Sequence, residues 1–446
     1  MLLLGIYTFL KKVLDTENKR KCIISLIIGI LFGIIEVICT SINTDYTLNN
    51  ILFDKWTIIN FLGYSILGFS ITSFIYTILE KQELPNKTLK IGKVEFFINM
   101  ALIFLAWLPY FLRYYPGLLT SDSIVQLSQA IGISELTNHH PIFHTGIIAL
   151  FVNIGQAIFG NINAGVAFYT IAQMLIMSGI FAFILRYLSK KQVPVIVRVI
   201  TLLYYMFYPI NALFSVTMWK DVLFAGILPI FIILCVELIT NTEEFFSKKK
   251  NILSYIIVSL LVFFARNNGM YVVVLTMPFI VMLLRKYWKK VIPLFVSIIL
   301  IYAVIKTSVF ALLDVKNGSV AEMLSIPLQQ IARVVKYHEE ELDEETINRI
   351  NNFFECDNIG EKYNPILSDP VKAELNDEYF DENKGEFISL WFNLLTRYFK
   401  DYVESFISNS YGYYYPEASH WVANRTMEPN NLGVEQTPIY LRKYSI

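Results

Sequence analysis

The sequence predicts an all-helical protein that crosses a membrane several times. Hydrophobic residues make up 55% of the 446 residues and charged residues only 17%, whereas soluble domains usually contain about 25% charged residues. Apolar runs long enough to span a bilayer recur along the first 312 residues, and basic residues gather in alternate connections between them. Together these observations define the predicted class, an α-helical polytopic membrane protein.

Nine apolar runs have about the length of a membrane-spanning helix. They cover residues 22–40, 56–79, 94–112, 163–187, 193–213, 222–240, 252–266, 270–284 and 291–312. The apolar run at the N-terminus is followed, not preceded, by Lys11 and Lys12, which is the wrong order for a cleaved signal peptide. The first span is therefore predicted to remain as an uncleaved anchor.

A further apolar run, residues 142–160, is predicted to lie along the outer membrane surface rather than across the bilayer. If it spanned, the basic segment 186–198 would lie outside, opposite to the other basic segments. Without it, all of these segments face the cytoplasm: residues before 22, 80–93, 186–198, 248–250 and 285–290. The short outer loops then carry only Lys55, Arg113, Lys220 and Arg266. The alternative is an ordinary tenth span.

Nine spans that start inside place the N-terminus in the cytoplasm and residues 313–446 outside. The sequence thus predicts a transmembrane domain over 1–312, with a first large outer loop over 113–162, and a polar, mainly helical outer region over 313–446. Within that region, residues 386–409 have helical apolar periodicity, which predicts an amphipathic helix resting on the membrane or on the helical bundle.

Charge and cysteine content exclude two other classes. The 37 basic and 37 acidic residues cancel, so nothing indicates binding to nucleic acid. Of the four cysteines, Cys22, Cys39 and Cys235 lie in apolar runs and Cys356 stands alone in a polar region. That spacing allows neither a disulfide framework nor a CxxC metal site.

The most informative polar stretch is the first large outer loop, where residues 114–123 and 138–144 follow a hydrophobic span. Asp122 lies there within Thr-Ser-Asp-Ser, just before an amphipathic stretch. A carboxylate immediately outside the bilayer is a candidate general base that removes a proton from an acceptor hydroxyl. The alternative is helix capping, with Ser121 or Thr120 as the N-cap and Asp122 in the first turn.

His140 and His144 are four residues apart, so they share a face if a helix begins near Pro141. We predict that they contact a phosphate or hydroxyl of the substrate. Metal binding is the less favoured alternative, because no HExxH motif and no third ligand accompany the pair. The structural alternative makes His140 the cap and Pro141 the first helical residue.

Two outer cations, Lys220 and Arg266, are candidate binders of an anionic substrate. Arginine offers a bidentate fork to phosphate and lysine a point charge, although both could instead reach from helix ends to lipid headgroups. Lys306, inside the last span, is a weaker candidate. The aromatic cluster over residues 411–416 contains Tyr413 and suggests either a sugar-stacking platform or an interfacial aromatic belt.

These motifs resemble a known group of enzymes. Tyr115-Pro116-Gly117, an Asp-Ser pair at Asp122-Ser123, and His-Pro-x-x-His from His140 to His144 are similar to the first outer loop of GT-C superfamily glycosyltransferases. The nearest resemblance is to an uncharacterised bacterial family of polytopic membrane proteins placed among them. Residues 219–221, 266–269 and 325–333 also resemble that group, and the likeness extends over about 95–420.

The resemblance implies a GT-C-like fold with juxtamembrane helices in the first outer loop, in a bacterial cell membrane. It implies inverting transfer of a sugar from a polyprenyl-phosphate donor to an extracytoplasmic envelope acceptor, with Asp122 as the general base. The chain lacks the acidic pair of metal-dependent relatives, so no cofactor is expected and a divalent cation is not favoured. Many relatives continue into more spans, so a chain that ends at Ile446 resembles a shortened member.

Two other functions remain open from the residues themselves. One is a transporter or flippase for a lipid or small anion, for which Glu36 and Lys306 are the nearest ionisable residues at mid-depth. The other is a non-catalytic envelope assembly protein that binds a partner through residues 313–446. Convergence of Asp122, Lys220 and Arg266 on one cavity would favour the enzyme.

Overall fold

A computed structural model describes residues 19–49, 51, 55–80, 93–418 and 425–439. Within these ranges the regular structure is helical, and extended pairing is limited to isolated bridges. The predicted all-α class is therefore confirmed. The predicted anchor, residues 22–40, is described, whereas the N-terminal segment before residue 19 and most of the basic loop 80–93 lie outside the described residues. The chain divides into two compact units, Met1–Glu83 with Ser319–His420 and Leu84–Gly318 with Trp421–Ile446.

The first unit begins with two long helices, α1 (Lys19–Asp45) and α2 (Trp56–Glu80). Glycines allow their backbones to approach closely: a Cβ added at Gly33 would lie 2.1 Å from Ser65 Oγ, and one at Gly29 only 2.5 Å from the Ser65 carbonyl oxygen. Close packing through small residues is typical of helix pairs in membranes, where apolar side chains gain little by leaving lipid.

The second unit contains the next eleven α-helices of the described chain. They are α3 (Lys93–Arg113), α4 (Ser121–Ala130), α5 (Ile142–Phe159), α6 (Ile162–Lys190), α7 (Val195–Phe207), α8 (Pro209–Ser215), α9 (Lys220–Thr240), α10 (Thr242–Ser247), α11 (Lys249–Ala265), α12 (Gly269–Leu283) and α13 (Trp288–Leu312). Helix α6 lies at the centre and packs against α3, α5, α7 and α9. The buried indole of Trp107 on α3 donates to the Tyr205 carbonyl at 3.0 Å, which ties α7 to this centre.

Among the described helices, seven are long and apolar enough to cross a membrane, or eight if one bent pair counts as a single span. The bent pair is α7 and α8, which meet at 53° where Pro209 begins a new helix. Helices α11 and α12, which correspond to the predicted spans 252–266 and 270–284, have 17 and 15 residues. The chain is thus a multi-pass membrane protein, while the number nine remains a prediction.

Helix α5 coincides with the run predicted to lie on the outer surface, although its 18 residues also qualify it as a span by length and composition. Its contacts with α6 run from His144 against Tyr169 to Gly155 against Ala164 and Phe168. These contacts extend over eleven residue steps of α5, about 16 Å at 1.5 Å per residue, but only over residues 164–169 of α6. These contacts indicate that α5 crosses the beginning of α6, while its position in the membrane stays a prediction.

Labelling at Asn161, the exposed N-cap between α5 and α6, tests that prediction. If α5 lies at the outer surface, Asn161→Cys in a background without the native cysteines will react with an impermeant thiol reagent from outside. Lys191→Cys, at the other end of α6, will react only after permeabilisation. Labelling of Asn161→Cys only after permeabilisation would contradict the predicted topology, and with it the common outer face of the predicted site residues.

The remaining helices return to the first unit. They are α14 (Ser325–His338), α15 (Glu344–Asn352), α16 (Asp369–Lys372), α17 (Asp377–Glu382), α18 (Lys384–Arg397) and α19 (Phe399–Ser410). The amphipathic helix predicted over 386–409 is two helices, α18 and α19, separated at Tyr398. Helices therefore make up much of the described part of 313–446, while its status as a separate outer region stays a prediction. The proposed domain boundary at 312/313 lies near the unit boundary at 318/319, but α1 and α2 group with the later helices.

Buried charge connects this helical region to the end of α1 within the first unit. Arg333 on α14 is 1% exposed and pairs with Glu404 and, at 3.3 Å, with Asp401, both on α19. Its guanidinium also donates to the Tyr46 carbonyl at 3.1 Å, and Glu404 accepts from the Leu48 backbone N–H. Each buried charge has a partner, so removal of one partner would leave an uncompensated buried charge in this region.

Candidate active site

Two separated backbone segments meet beside the candidate site. Leu118 and Thr217 form a parallel bridge, in which the Leu118 N–H donates to the Val216 carbonyl at 2.8 Å and the Met218 N–H donates to the Leu118 carbonyl at 2.9 Å. This pairing places the start of α4 next to the start of α9. The two helices carry Asp122 and Lys220 in their first turns.

The start of α4 leaves the Asp122 carboxylate available for other contacts. Thr120 is the N-cap residue, as one sequence alternative held, and its N–H donates to Ser123 Oγ at 3.0 Å. The Ser123 hydroxyl, fully buried, donates in turn to the Met218 carbonyl. Asp122 therefore does not cap its helix, and its negative charge lies in the first turn, where the helix dipole favours it.

Asp122, Lys220 and His140 form one cluster. The Lys220 ammonium forms an ion pair and hydrogen bond with Asp122 Oδ2, and its Nζ lies 3.2 Å from His140 Nδ1. An ammonium group only donates, so His140 Nδ1 accepts and the proton of the neutral ring is on Nε2. His140 is almost fully buried, whereas the Asp122 side chain is 35% exposed. The carboxylate is thus the more accessible member of the cluster.

The surroundings set the protonation of both titratable groups. Burial raises the pKa of Asp122, but the charge and hydrogen bond of Lys220, followed by the charge of His140, outweigh it, so the net pKa is below its ordinary value. For His140, burial and then the Lys220 charge lower the pKa to about 4. At neutral pH the cluster therefore combines a carboxylate, an ammonium group and a neutral imidazole.

Arg266 belongs to a second ion pair near the same helix start. Its Nε lies 3.0 Å from Asp221 Oδ1, and its guanidinium lies over the Phe224 ring at 5.8 Å. The next residue, Asn267, donates to the carbonyls of Asn138 and His139 at 3.0 and 3.3 Å. The Arg266 turn is thereby held against the histidine segment, but much of its charge is already compensated by Asp221.

The other predicted site residues have different surroundings. His144 is buried, and both of its ring nitrogens are already occupied, Nδ1 by Gln126 at 2.9 Å and Nε2 by Tyr169 at 2.8 Å. Neither nitrogen is available to a substrate, so the structure gives no support to His144 as a substrate contact. Lys306 lies against the Tyr302 and Phe310 rings at 5.9 and 5.5 Å.

Tyr413 lies in the first unit and is 90% exposed. The structure therefore does not test its predicted role in sugar binding. Sequence reasoning also missed a set of buried polar residues behind Asp122, namely Gln126, Tyr169 and Gln173. Their signal was present: Gln126 is four residues after Asp122, and Tyr169 and Gln173 are four apart in an otherwise apolar run.

These features define an all-helical multi-pass membrane protein with a compact charged cluster at converging helix starts. The chain belongs to a family of unknown function, DUF6020, whose model matches residues 131–444. That range includes His140, Lys220 and Arg266, whereas Asp122 lies before it. No curated protein and no solved structure matches the chain. The likeness to GT-C enzymes therefore rests on the sequence motifs alone.

Proposed function

We propose that this protein is a membrane glycosyltransferase that moves a sugar from a polyprenyl-phosphate donor to an extracytoplasmic acceptor, with inversion at the anomeric carbon. The observation that carries the proposal is the meeting of Asp122, Lys220 and His140. These residues come from three separate segments of the chain, and the sequence predicts each of them as a site residue.

In the proposed reaction Asp122 acts as the general base. One carboxylate oxygen of Asp122 takes the proton of the acceptor hydroxyl. At the same time the oxygen of that hydroxyl attacks the anomeric carbon from the face opposite the phosphate. The bond from the anomeric carbon to the phosphate oxygen breaks, and the phosphate leaves with the electron pair. Because the pKa of Asp122 is below its ordinary value, the group is a carboxylate at neutral pH and accepts the proton as a weak base.

Lys220 is the proposed partner of the leaving phosphate. An ammonium group has three N–H donors, of which one faces Asp122 and a second faces His140. The third can donate to a phosphate oxygen, where negative charge grows as the bond breaks. The N–H of His140 at Nε2 is a neutral donor for the same phosphate or for a sugar hydroxyl.

The single carboxylate favours transfer over hydrolysis. Glycoside hydrolases usually need two carboxyl groups, because a poor leaving group must be protonated while the nucleophile is activated. A lipid-linked phosphate leaves without protonation, so one base together with a cation is sufficient. In this cluster the second position beside Asp122 is held by the Lys220 ammonium rather than by an acid.

Turnover of a lipid-linked donor tests the proposal directly. Purified protein in detergent or vesicles is given radiolabelled sugar on polyprenyl phosphate together with an envelope fraction as acceptor. We expect release of the free lipid phosphate with labelled acceptor, and equal rates with and without a chelator, because Lys220 supplies the positive charge. Loss of turnover on chelation, with recovery on adding Mg²⁺, would contradict the metal-independent site.

A transporter remains the second candidate because of one buried acid. Glu36 lies within α1, is 3% exposed, and its Oε1 has no hydrogen-bond partner among the described residues. Ionisable residues inside membrane helices often serve transport. Sealed vesicles that move the lipid or a small anion without forming glycosylated product would favour transport and contradict the enzyme.

A further inference from the structure

A line of buried side chains lies behind the Asp122–Lys220 pair. Gln126 on α4, His144 on α5, and Tyr169 and Gln173 on α6 are each no more than 2% exposed. They are joined by hydrogen bonds of 2.9 Å from Gln126 to His144, 2.8 Å from His144 to Tyr169 and 2.7 Å from Tyr169 to Gln173. Three helices are therefore connected by one unbroken polar chain.

The contacts of Gln173 determine which group donates and which accepts in each of these hydrogen bonds. The Gln173 amide nitrogen donates to the carbonyls of Ser215 and Thr217 at 3.0 and 2.7 Å, so its oxygen must accept the Tyr169 hydroxyl proton. Since Tyr169 has only one proton, its oxygen accepts from His144 at Nε2. The His144 ring therefore carries a proton on Nε2.

The protonation of His144 Nδ1 determines which atom of the Gln126 amide faces the ring. No carboxylate is among the hydrogen-bond partners of His144, and a buried imidazolium without one is costly, so the ring is neutral and Nδ1 accepts. Gln126 Oε1 lies 2.9 Å from Nδ1 and Gln126 Nε2 lies 3.0 Å from Thr145 Oγ1, so a neutral His144 requires the amide turned by 180°. Its nitrogen then donates to Nδ1 and its oxygen accepts from the Thr145 hydroxyl. With this amide orientation every member is satisfied.

The two ends of the chain lie next to the two charges of the candidate site. Gln126 is one helical turn after Asp122 on α4, and the carbonyls held by Gln173 belong to residues just before Lys220. We propose that His144 and Tyr169 are positioning residues that set the distance between the Asp122 carboxylate and the Lys220 ammonium. Their consequence for catalysis rests on the proposed function, whereas the positioning itself does not.

An introduced thiol measures this positioning without any enzyme assay. In protein lacking the native cysteines, Asp122→Cys places a thiol beside Lys220, and the pH dependence of its reaction with a thiol reagent reports its pKa. A nearby ammonium holds a thiol pKa below its usual 8.5 or so. Adding Tyr169→Phe is expected to raise that pKa by about 1, because a cation moved away no longer favours the thiolate.

Controls separate positioning from general loss of stability. Ser178→Ala removes another buried side-chain hydrogen bond on α6, to the Leu175 carbonyl, and should leave the thiol pKa unchanged. Gln173→Met interrupts the same hydrogen-bonded chain and should raise the thiol pKa as Tyr169→Phe does. His144→Gln keeps a donor and an acceptor and should therefore raise the thiol pKa less. In a Lys220→Ala background, Tyr169→Phe should cause no further rise.

The outcomes distinguish this inference from the proposed function. An unchanged thiol pKa in both folded variants, Tyr169→Phe and Gln173→Met, would overturn the positioning role, whatever the transfer activity. An equal rise in the Lys220→Ala background would also overturn it, because the effect would then not pass through Lys220. A rise that depends on Lys220, in a protein without transfer activity, would sustain the positioning role and contradict only the proposed function.

Discussion

Asp122→Asn is expected to reduce sugar transfer by about 10²–10⁴-fold, the usual contribution of a general base. Asparagine keeps the size of the side chain and can still accept a hydrogen bond from Lys220, but its amide oxygen cannot take up the proton of the acceptor. The measurement is the initial rate of transfer from the lipid-linked donor, together with the thermal midpoint of the purified variant.

Asp314→Asn is the matched control for this substitution. Asp314 also pairs with a lysine, Lys316 at 2.9 Å, but its side chain is 86% exposed and its left-handed backbone, with φ of 48°, suits asparagine. Transfer should be unchanged in that variant. If Asp122→Asn were as active as Asp314→Asn, Asp122 would have no role as a base.

Lys220→Ala is expected to lower kcat/KM for the lipid-linked donor by about 10–150-fold. This factor corresponds to the roughly 1.5–3 kcal/mol of a hydrogen bond to a charged group. A second effect follows from the ion pair. Lys220 is the main group that holds the pKa of Asp122 below its ordinary value, so without it the carboxylate protonates at higher pH. The acidic limb of the rate–pH profile should therefore shift upwards.

Three related variants sharpen this result. Lys220→Arg should recover part of the activity, because the charge returns in a different geometry. Arg266→Ala should cost less than Lys220→Ala, because Arg266 is already paired with Asp221. Lys316→Ala removes an exposed ion pair and should have no effect. A larger loss with Arg266→Ala than with Lys220→Ala would transfer the phosphate role to Arg266.

The membrane class could be predicted because it depends on composition summed over the chain. Helices such as α1, α6 and α9 coincide with predicted apolar runs, since a run of that length has to bury its backbone polar groups within one helix. The break between α18 and α19 at Tyr398 was not predicted. The same apolar periodicity continues through both helices, and it does not reveal where the chain changes direction.

The candidate site was only partly predictable. Asp122, His140 and Lys220 were recognised as chemically unusual at one membrane surface, and the structure brings them into one cluster. His144 looked equivalent to His140 by its spacing, yet its ring nitrogens are occupied by Gln126 and Tyr169. Spacing along a helix shows which residues share a face, but not which distant helix covers that face.

The sequence by itself determined that this protein is a helical multi-pass membrane protein and which few ionisable residues stand out from its apolar spans. Only the tertiary structure decided how those charges are paired, with Lys220 on Asp122 and Arg266 on Asp221. The physical reason is that apolar content and periodicity act within one helix. An ion pair, in contrast, depends on two segments that only folding brings together, here through the Leu118–Thr217 bridge and the start of α9.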